Sequence, residues 1–352
     1  MSSKKFFNYQ RNVTDIFGEV NDYVEEIGVE IEVEGRDLPQ RIPSYWTVHA
    51  DGSLRNGGLE YVLNKPTSRK HIYSYLQYLE KKLKEFGATV VMTPRCSVHV
   101  HLTAKDMTIL EVYLNLILYI IFEHLLVKYA GEAREGNLFC LRASDAEFFV
   151  ERLRHCAEQD DYSAFWDEVH LRYTSVNICA LQKFNSLEYR ALRGTTDPDI
   201  INDWIGMLLR MKDIAKTYHT PTEIIVDFSV KGPIKFLEYV LGDYASRFGA
   251  GEAVKKALWD GMRLAQDIAY ARAWEYSDVR PVQRTFAGTQ GFAVDGVHGR
   301  RRPGDRGVGW VVMPRADVLQ GLAQDLADRD RERDAVDVPL RMRLAALDRD
   351  GE

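Results

Sequence analysis

The run Val98-His99-Val100-His101-Leu102 puts two imidazoles on one face of a strand and valine and leucine on the other, because successive strand side chains point to opposite faces. Two imidazoles that close can share a ligand. Read alone, a His-x-His pair also fits the polar face of a half-exposed strand. Three further strand-like runs within the first 190 residues repeat the device with carboxylates: Gly28-Val29-Glu30-Ile31-Glu32-Val33-Glu34, Gly58-Leu59-Glu60-Tyr61-Val62 and Ser186-Leu187-Glu188-Tyr189-Arg190-Ala191. Carboxylates with imidazole, drawn from several antiparallel strands, would make a mostly oxygen-donor site suited to Mg²⁺ or Mn²⁺ rather than to a thiolate metal. Glu30, Glu32 and Glu34 on one side of a strand repel one another, and a bound cation offsets that repulsion. Arg190, two residues after Glu188 on the same face, adds a planar donor able to grip a phosphate or a carboxylate. Cations bridged by carboxylates and flanked by arginine are the equipment of phosphoryl transfer.

Elements must deliver these groups to one place. Ile27 to Glu34 alternates strictly and is the clearest strand; taken by itself it reads as an edge strand with a solvated acidic face, Glu34 solvated or one step removed from the metal. Trp46 to Ala50 leads into Asp51-Gly52, a turn signal, and returns through Gly57-Gly58 to the strand at Glu60. The spacing predicts a helix over 69–86, capped by Ser68 and stopped by Gly87, then strands from Thr89 through Leu102 broken by Pro94. Lys105 to Tyr129 reads as a long core helix. Its polar residues Glu111, Asn115, Glu123 and His124 leave too short an apolar span for a membrane, with His124 an ordinary boundary residue. Ser144 and Glu147 form a capping-box signature for a helix to about Ala157, followed by a short helical piece around Phe165 and Trp166. Strands are expected over Tyr173–Ala180 and Ser186–Leu192, then a capped helix from about Ile200 to Ala215 after Asp197-Pro198-Asp199. Glu223–Val230 reads as a further strand, with helices over Ile234–Leu241 and Glu252–Trp274.

At 352 residues and 45% hydrophobic, the chain can bury a substantial core. Its net charge of −6 argues against general nucleic-acid binding. Cys96, Cys140, Cys156 and Cys179 are dispersed, with no Cys-x-x-Cys pair, and the N-terminus lacks a signal-peptide core, so reduced thiols and a cytoplasmic location are expected. No glycine-rich phosphate cradle of either common type occurs. From about residue 285 the chain contains no Lys, Ile, Asn, Ser, Tyr or Cys and is dense in Arg, Asp, Gly, Ala and Val. The expected organisation is a lead-in over 1–25, a catalytic domain over 26–284 and a poorly ordered tail over 285–352 without a catalytic role, a sharper alternative being that the tail is a foreign or frame-shifted segment.

The ordered set Gly28-Val29-Glu30-Ile31-Glu32, Asp51-Gly52-Ser53, Leu59-Glu60-Tyr61-Val62, His99-Val100-His101, Asn177 and Glu188-Tyr189-Arg190 with Gly194-Thr195 resembles the amidoligase family, carboxylate-amine ligases of the glutamine synthetase and glutamate-cysteine ligase fold. Each motif is short; their order and combination are the selective feature. The resemblance covers residues 26 to 210. It implies an α+β fold, a curved antiparallel sheet backed by helices, with ATP entering one end and Mg²⁺ or Mn²⁺ between its phosphates and the sheet. It implies that a carboxylate attacks the γ-phosphate to give an acyl phosphate, which an amine captures as an amide. Carried over by residue, Glu30, Glu32, Glu60, His99 and Glu188 would bind metal, His101 would lie towards the nucleotide phosphates and Arg190 would stabilise the transferring phosphoryl group. Arg193 would bind substrate or cap the sheet, and Asp51 would orient the amine or merely make its turn. Substrates would be a small-molecule or peptide carboxylate and an amine, and some members complete their sites across subunits, which leaves a homo-oligomer open.

Two other classes compete. A metal-dependent hydrolase could use His99, His101 and the glutamates to activate water, with an open metal position and no ATP. A catalytically inactive, phage-borne binding protein could keep the fold without the chemistry, although a degenerate site has no physical reason to keep a buried acidic cluster.

Overall fold

Alternating runs of apolar residues become strands because one face can be buried, and here seven strands among the described residues join one antiparallel sheet. The computed structural model describes residues 9–159, 165, 171–272 and 274. Residues 1–8, Trp166 and the compositionally distinct tail from 285 lie outside them. After the short helix α1 (Val13–Phe17), the strands are β1 (Ile27–Arg36), β2 (Trp46–Ala50), β3 (Leu59–Leu63), β4 (Thr89–Val91), β5 (Ser97–Thr103), β6 (Val176–Asn177) and β7 (Ser186–Arg193). Their order across the sheet is β2-β3-β1-β5-β7-β6, with β4 pairing the far end of β1. β1 is therefore central and not an edge strand, since it pairs β3 on one side and β5 on the other.

The sheet buries Val29, Ile31, Val33, Val98, Val100, Leu187, Tyr189 and Leu192 in its core. Helix α3 (Ile109–Ala130) packs under β7, the Tyr119 and Tyr189 rings 5.2 Å apart and the Tyr189 hydroxyl donating to Asn115 Oδ1 at 2.5 Å. A helix apolar all round must be buried. α3 is long and apolar enough to cross a bilayer by length and composition, yet nearly all its side chains lie inside the fold. Its start is fixed by a capping box in which Thr108 Oγ1 accepts from Glu111 N and Glu111 Oε2 accepts from Thr108 N.

The remaining helices are α2 (Ile72–Glu85), α4 (Glu147–Gln159), α5 (Ala180–Phe184), α6 (Pro198–Ala215), α7 (Pro221–Lys231), α8 (Pro233–Leu241) and α9 (Glu252–Ala269). α2 begins after His71, with Ser68 holding the preceding turn through its carbonyl. α4 begins at Glu147, so Ser144 lies outside it. α6 is capped by Asp197, whose Oδ1 accepts from Asp199 N and Ile200 N. The strand expected over Glu223–Val230 is instead α7. Thr220 Oγ1 accepts from Glu223 N, Glu223 Oε2 accepts from His219 N and Pro221 occupies the first helical position, so the start signals outweigh the β-branched run Ile224-Ile225-Val226. The strand over Tyr173–Ala180 shrinks to β6, because Ala180–Phe184 turns helical and ends on Asn185 at φ 51°. All four cysteines are buried, and none forms a disulfide among the described residues.

Candidate active site

Strand parity gathers the polar groups. In the sheet register Glu30 stands opposite His99, Glu32 opposite Glu60, His101 opposite Glu188 and Asn177 beside Glu188, so β1, β3, β5, β6 and β7 all contribute. Between Val98 and Val100 the β5/β7 register slips by one residue. That bulge sets both Arg190 and Ala191 against His99, so Arg193, opposite Ser97, rejoins the polar face. Gly28 lies across from His101, where a Cβ would come within 3.3 Å of the histidine Cβ. A larger residue there would push the ring.

His99 is the hub and is only 3% exposed. Its Nδ1 lies 3.1 Å from Glu30 Oε2 and 3.5 Å from Glu188 Oε1, and its Nε2 meets Ser97 Oγ at 2.8 Å. Ser97 in turn donates to Glu32 Oε2. Asn177 Nδ2 donates to Glu188 Oε2 at 2.7 Å, while the Arg190 guanidinium grips Glu188 Oε1. His101 Nδ1 lies 3.1 Å from Ser186 Oγ. Its Nε2 is buried and makes no hydrogen bond, although Glu30 Oε1 is 3.4 Å away.

Two overlapping donor sets could each hold a divalent cation: Glu30, His99 and Glu188, and Glu32, Glu60 and His99, with ligand atoms in each set no more than 4.8 Å apart. Oxygen-rich sets with one imidazole suit Mg²⁺ or Mn²⁺. Since one imidazole serves both sets, a cation in the second would rest mainly on carboxylates.

The electrostatics divide the acids. Burial raises the Glu60 carboxyl to about 8, reinforced by the nearby Glu30, Glu32, Asp51 and Glu188. Burial also opposes ionisation of Glu30, but His101 and His99 outweigh it and hold that carboxyl well below its ordinary range. For Glu188, burial is outweighed by Arg190 and then by His101 and His99, which lower it. Burial disfavours the charged ring of His101, yet Glu30 and Glu188 raise it above its ordinary value.

Other expected residues stand apart. Asp51 Oδ1 accepts from Ser53 N at 2.6 Å, a turn contact, although its charge is felt by Glu60. Arg193 donates to the Tyr129 and Ala130 carbonyls at 3.2 and 3.1 Å, closing the C-terminal end of α3. Glu34 is not solvated: it is 2% exposed, and its Oε1 accepts from Arg55 N at 2.7 Å. His124 is exposed, with its Nδ1 3.2 Å from Arg142.

Sequence reasoning passed over two positions. Ser97 continues the period-two series of His99 and His101, and that spacing was its signal. Buried Arg134 has no such pattern. It donates to the Arg190 and Ala191 carbonyls at 2.8 and 3.2 Å, and burial lowers its pKa. It thereby fixes the backbone that carries Arg190.

Residues 65–211 match the model of a family described as a putative amidoligase enzyme. This is the family that the ordered strand motifs resemble, and it is one of ligase-type enzymes. The amidoligase match takes in His99, His101, Asn177, Glu188, Arg190 and Arg193, whereas Glu30, Glu32, Asp51 and Glu60 precede it. β1 and β3 are nonetheless hydrogen-bonded into the same sheet as the matched strands, so the matched and the preceding residues build one cluster. A comparison with curated proteins gave no match.

Proposed function

We propose that the chain is an ATP-dependent carboxylate-amine ligase, with a catalytic fold like that of glutamine synthetase. The observation that carries the reading is the convergence of Glu30, Glu32, Glu60, His99 and Glu188 on one sheet face, with Arg190 against Glu188. Bound Mg²⁺ or Mn²⁺ would neutralise triphosphate charge, held by the two donor sets around His99. Arg190 contributes a fixed cation, raised further by Glu188 although burial opposes it, at the place where charge develops on a transferring phosphoryl group. His101 offers the unbonded Nε2 as a donor to phosphate oxygen, its protonated form favoured by Glu30 and Glu188. Asn177 and Arg190 keep Glu188 oriented and ionised.

The reaction proceeds in two displacements. A substrate carboxylate oxygen attacks the γ-phosphorus of ATP and ADP leaves, giving an acyl phosphate. The amine then attacks the acyl carbon, inorganic phosphate departs and a proton is lost to yield the amide. ADP release that requires both a carboxylate and an amine, and that Glu188→Gln abolishes without unfolding the protein, is the expected result. Hydrolysis needing metal but no nucleotide would replace this reading with a metal-dependent hydrolase. Calorimetry showing neither Mg²⁺ nor ATP binding would leave a binding protein of the same fold.

A further inference from the structure

Past Glu32 along β1, where Glu34 leaves the cation cluster, lies a cavity of about 520 Å³, lined by Glu34, Arg55, Thr93, Arg95, Leu138 and Phe139 among others. We infer that this cavity holds the acid substrate by a second anionic group, so that the ligase acts on a di- or polycarboxylic acid and not on a monoacid. The inference rests on the ligase reading and deepens it by naming the substrate class.

Three observations carry it. First, the cavity adjoins the chemistry through one side chain. Arg190 grips Glu188 of the cluster with one end of its guanidinium and reaches the carbonyl of Phe139, a cavity wall, at 3.5 Å with its Nε. Second, the walls are held in place. Asn137 Nδ2 donates to the Pro94 carbonyl at 2.9 Å, and buried Arg134, anchored on the Arg190 carbonyl, reaches the same Pro94 oxygen at 3.5 Å. Third, the cavity carries positive charge. The Arg55 guanidinium meets only the Gly52 and Leu54 carbonyls, both at 3.3 Å, and neither it nor Arg95 has a carboxylate partner among the described residues. The acid in the cavity, Glu34, is turned onto the backbone N–H of Arg55 and buried. Two arginine forks facing a cavity match a carboxylate in planar, two-point fashion. Leu138 and Phe139, 73% and 37% exposed, offer an apolar wall for the carbon chain between the two anions. An acid seated this way presents its reacting carboxylate to Arg190 and the cation cluster, and its distal carboxylate to Arg55 and Arg95.

The test compares glutarate with pentanoate, equal in length and differing by one carboxylate, on the wild-type chain and on the double variant Arg55→Ala/Arg95→Ala. Neither arginine belongs to the cation cluster. Calorimetric binding of glutarate should exceed that of pentanoate roughly tenfold or more, and the double variant should erase the difference while ATP affinity and melting temperature stay unchanged. With ATP and pooled amines, the variant should raise KM for diacids and leave kcat nearly unchanged. Equal binding of both acids, or a glutarate preference that survives the double substitution, overturns the inference and leaves the ligase reading intact. A fall in ATP affinity in the double variant overturns it too, by assigning the arginines to phosphate. Arginine-dependent glutarate binding without ADP release under any condition supports the anion site and removes the ligase reading instead.

Discussion

Glu60 makes cation binding a proton-releasing event, and the size of the release follows from its surroundings. Its ligand oxygen lies within 4.8 Å of that of Glu32. Two carboxylate charges at that separation repel by about 3 kcal/mol at an effective dielectric near 20, less where water screens the half-buried Glu60. Repulsion of that order moves a carboxyl by about two pH units, and burial, the larger cause, carries Glu60 to about 8. At pH 7 the group is then about 0.9 protonated, and a divalent cation must displace that proton. Titration calorimetry with Mn²⁺ in buffers of differing ionisation enthalpy should record about 0.9 more proton released by the wild-type chain than by Glu60→Gln at pH 7, falling to about 0.1 at pH 9. The apparent affinity should rise about tenfold per pH unit below 8 and level off above it. Wild-type and Glu60→Gln chains that release equal numbers of protons at pH 7 would refute the reasoning, because Glu60 would then already be ionised.

Two further outcomes follow from the same physics. Glu123, buried in α3 and accepting from Ser175 Oγ and Ala143 N, is raised by burial to about 7; like Glu60 it binds protons more tightly folded than unfolded. Its contribution is full below about pH 4.5 and is lost as pH climbs towards 7, so the melting temperature of the metal-free chain should fall from pH 5 to 8, and Glu123→Gln should flatten the fall. Gly261 on α9 faces α3 so closely that a Cβ would stand 2.4 Å from the Ile121 carbonyl and 2.7 Å from that of Ile120. Gly261→Ala should cost about 1–3 kcal/mol in urea unfolding despite alanine's better helix propensity, while a stabilised variant would show that the two helices can part cheaply.

The strands that build the cluster were legible because period-two alternation survives in β1 and β5 whatever surrounds them. Which acids meet was not, since register is a property of strand pairs: nothing in Glu32-Val33-Glu34 says that Glu32 reaches Ser97 while Glu34 turns to Arg55. The position of β1 at the centre of the sheet likewise depends on β3 and β5 covering both its edges. The error at Glu223–Val230 has a local cause. The β-branched run Ile224-Ile225-Val226 has strand character, but Thr220 and Glu223 make two hydrogen bonds with the backbone that, with Pro221, start a helix burying Ile224, Ile225 and Phe228 on one face. Arg134 could not have been singled out, because its role is to serve carbonyls 56 and 57 residues away.

The slip between β5 and β7 gives β7 one place where a change in length leaves the pairing on either side intact. A regular β7 would offer every second residue to the polar side, and could not send Arg190 to Glu188 and Arg193 to the end of α3 while keeping Tyr189 and Leu192 inside. Removing Ala191 would leave Arg190 alone against His99, straighten the ribbon and keep Leu192 and Arg193 on their present sides, whereas removing a residue from the regular pairs on either flank would invert the sidedness of what lies beyond it. A deletion scan along β7 should therefore reveal one tolerant position at the slip between intolerant flanks, a pattern set by geometry.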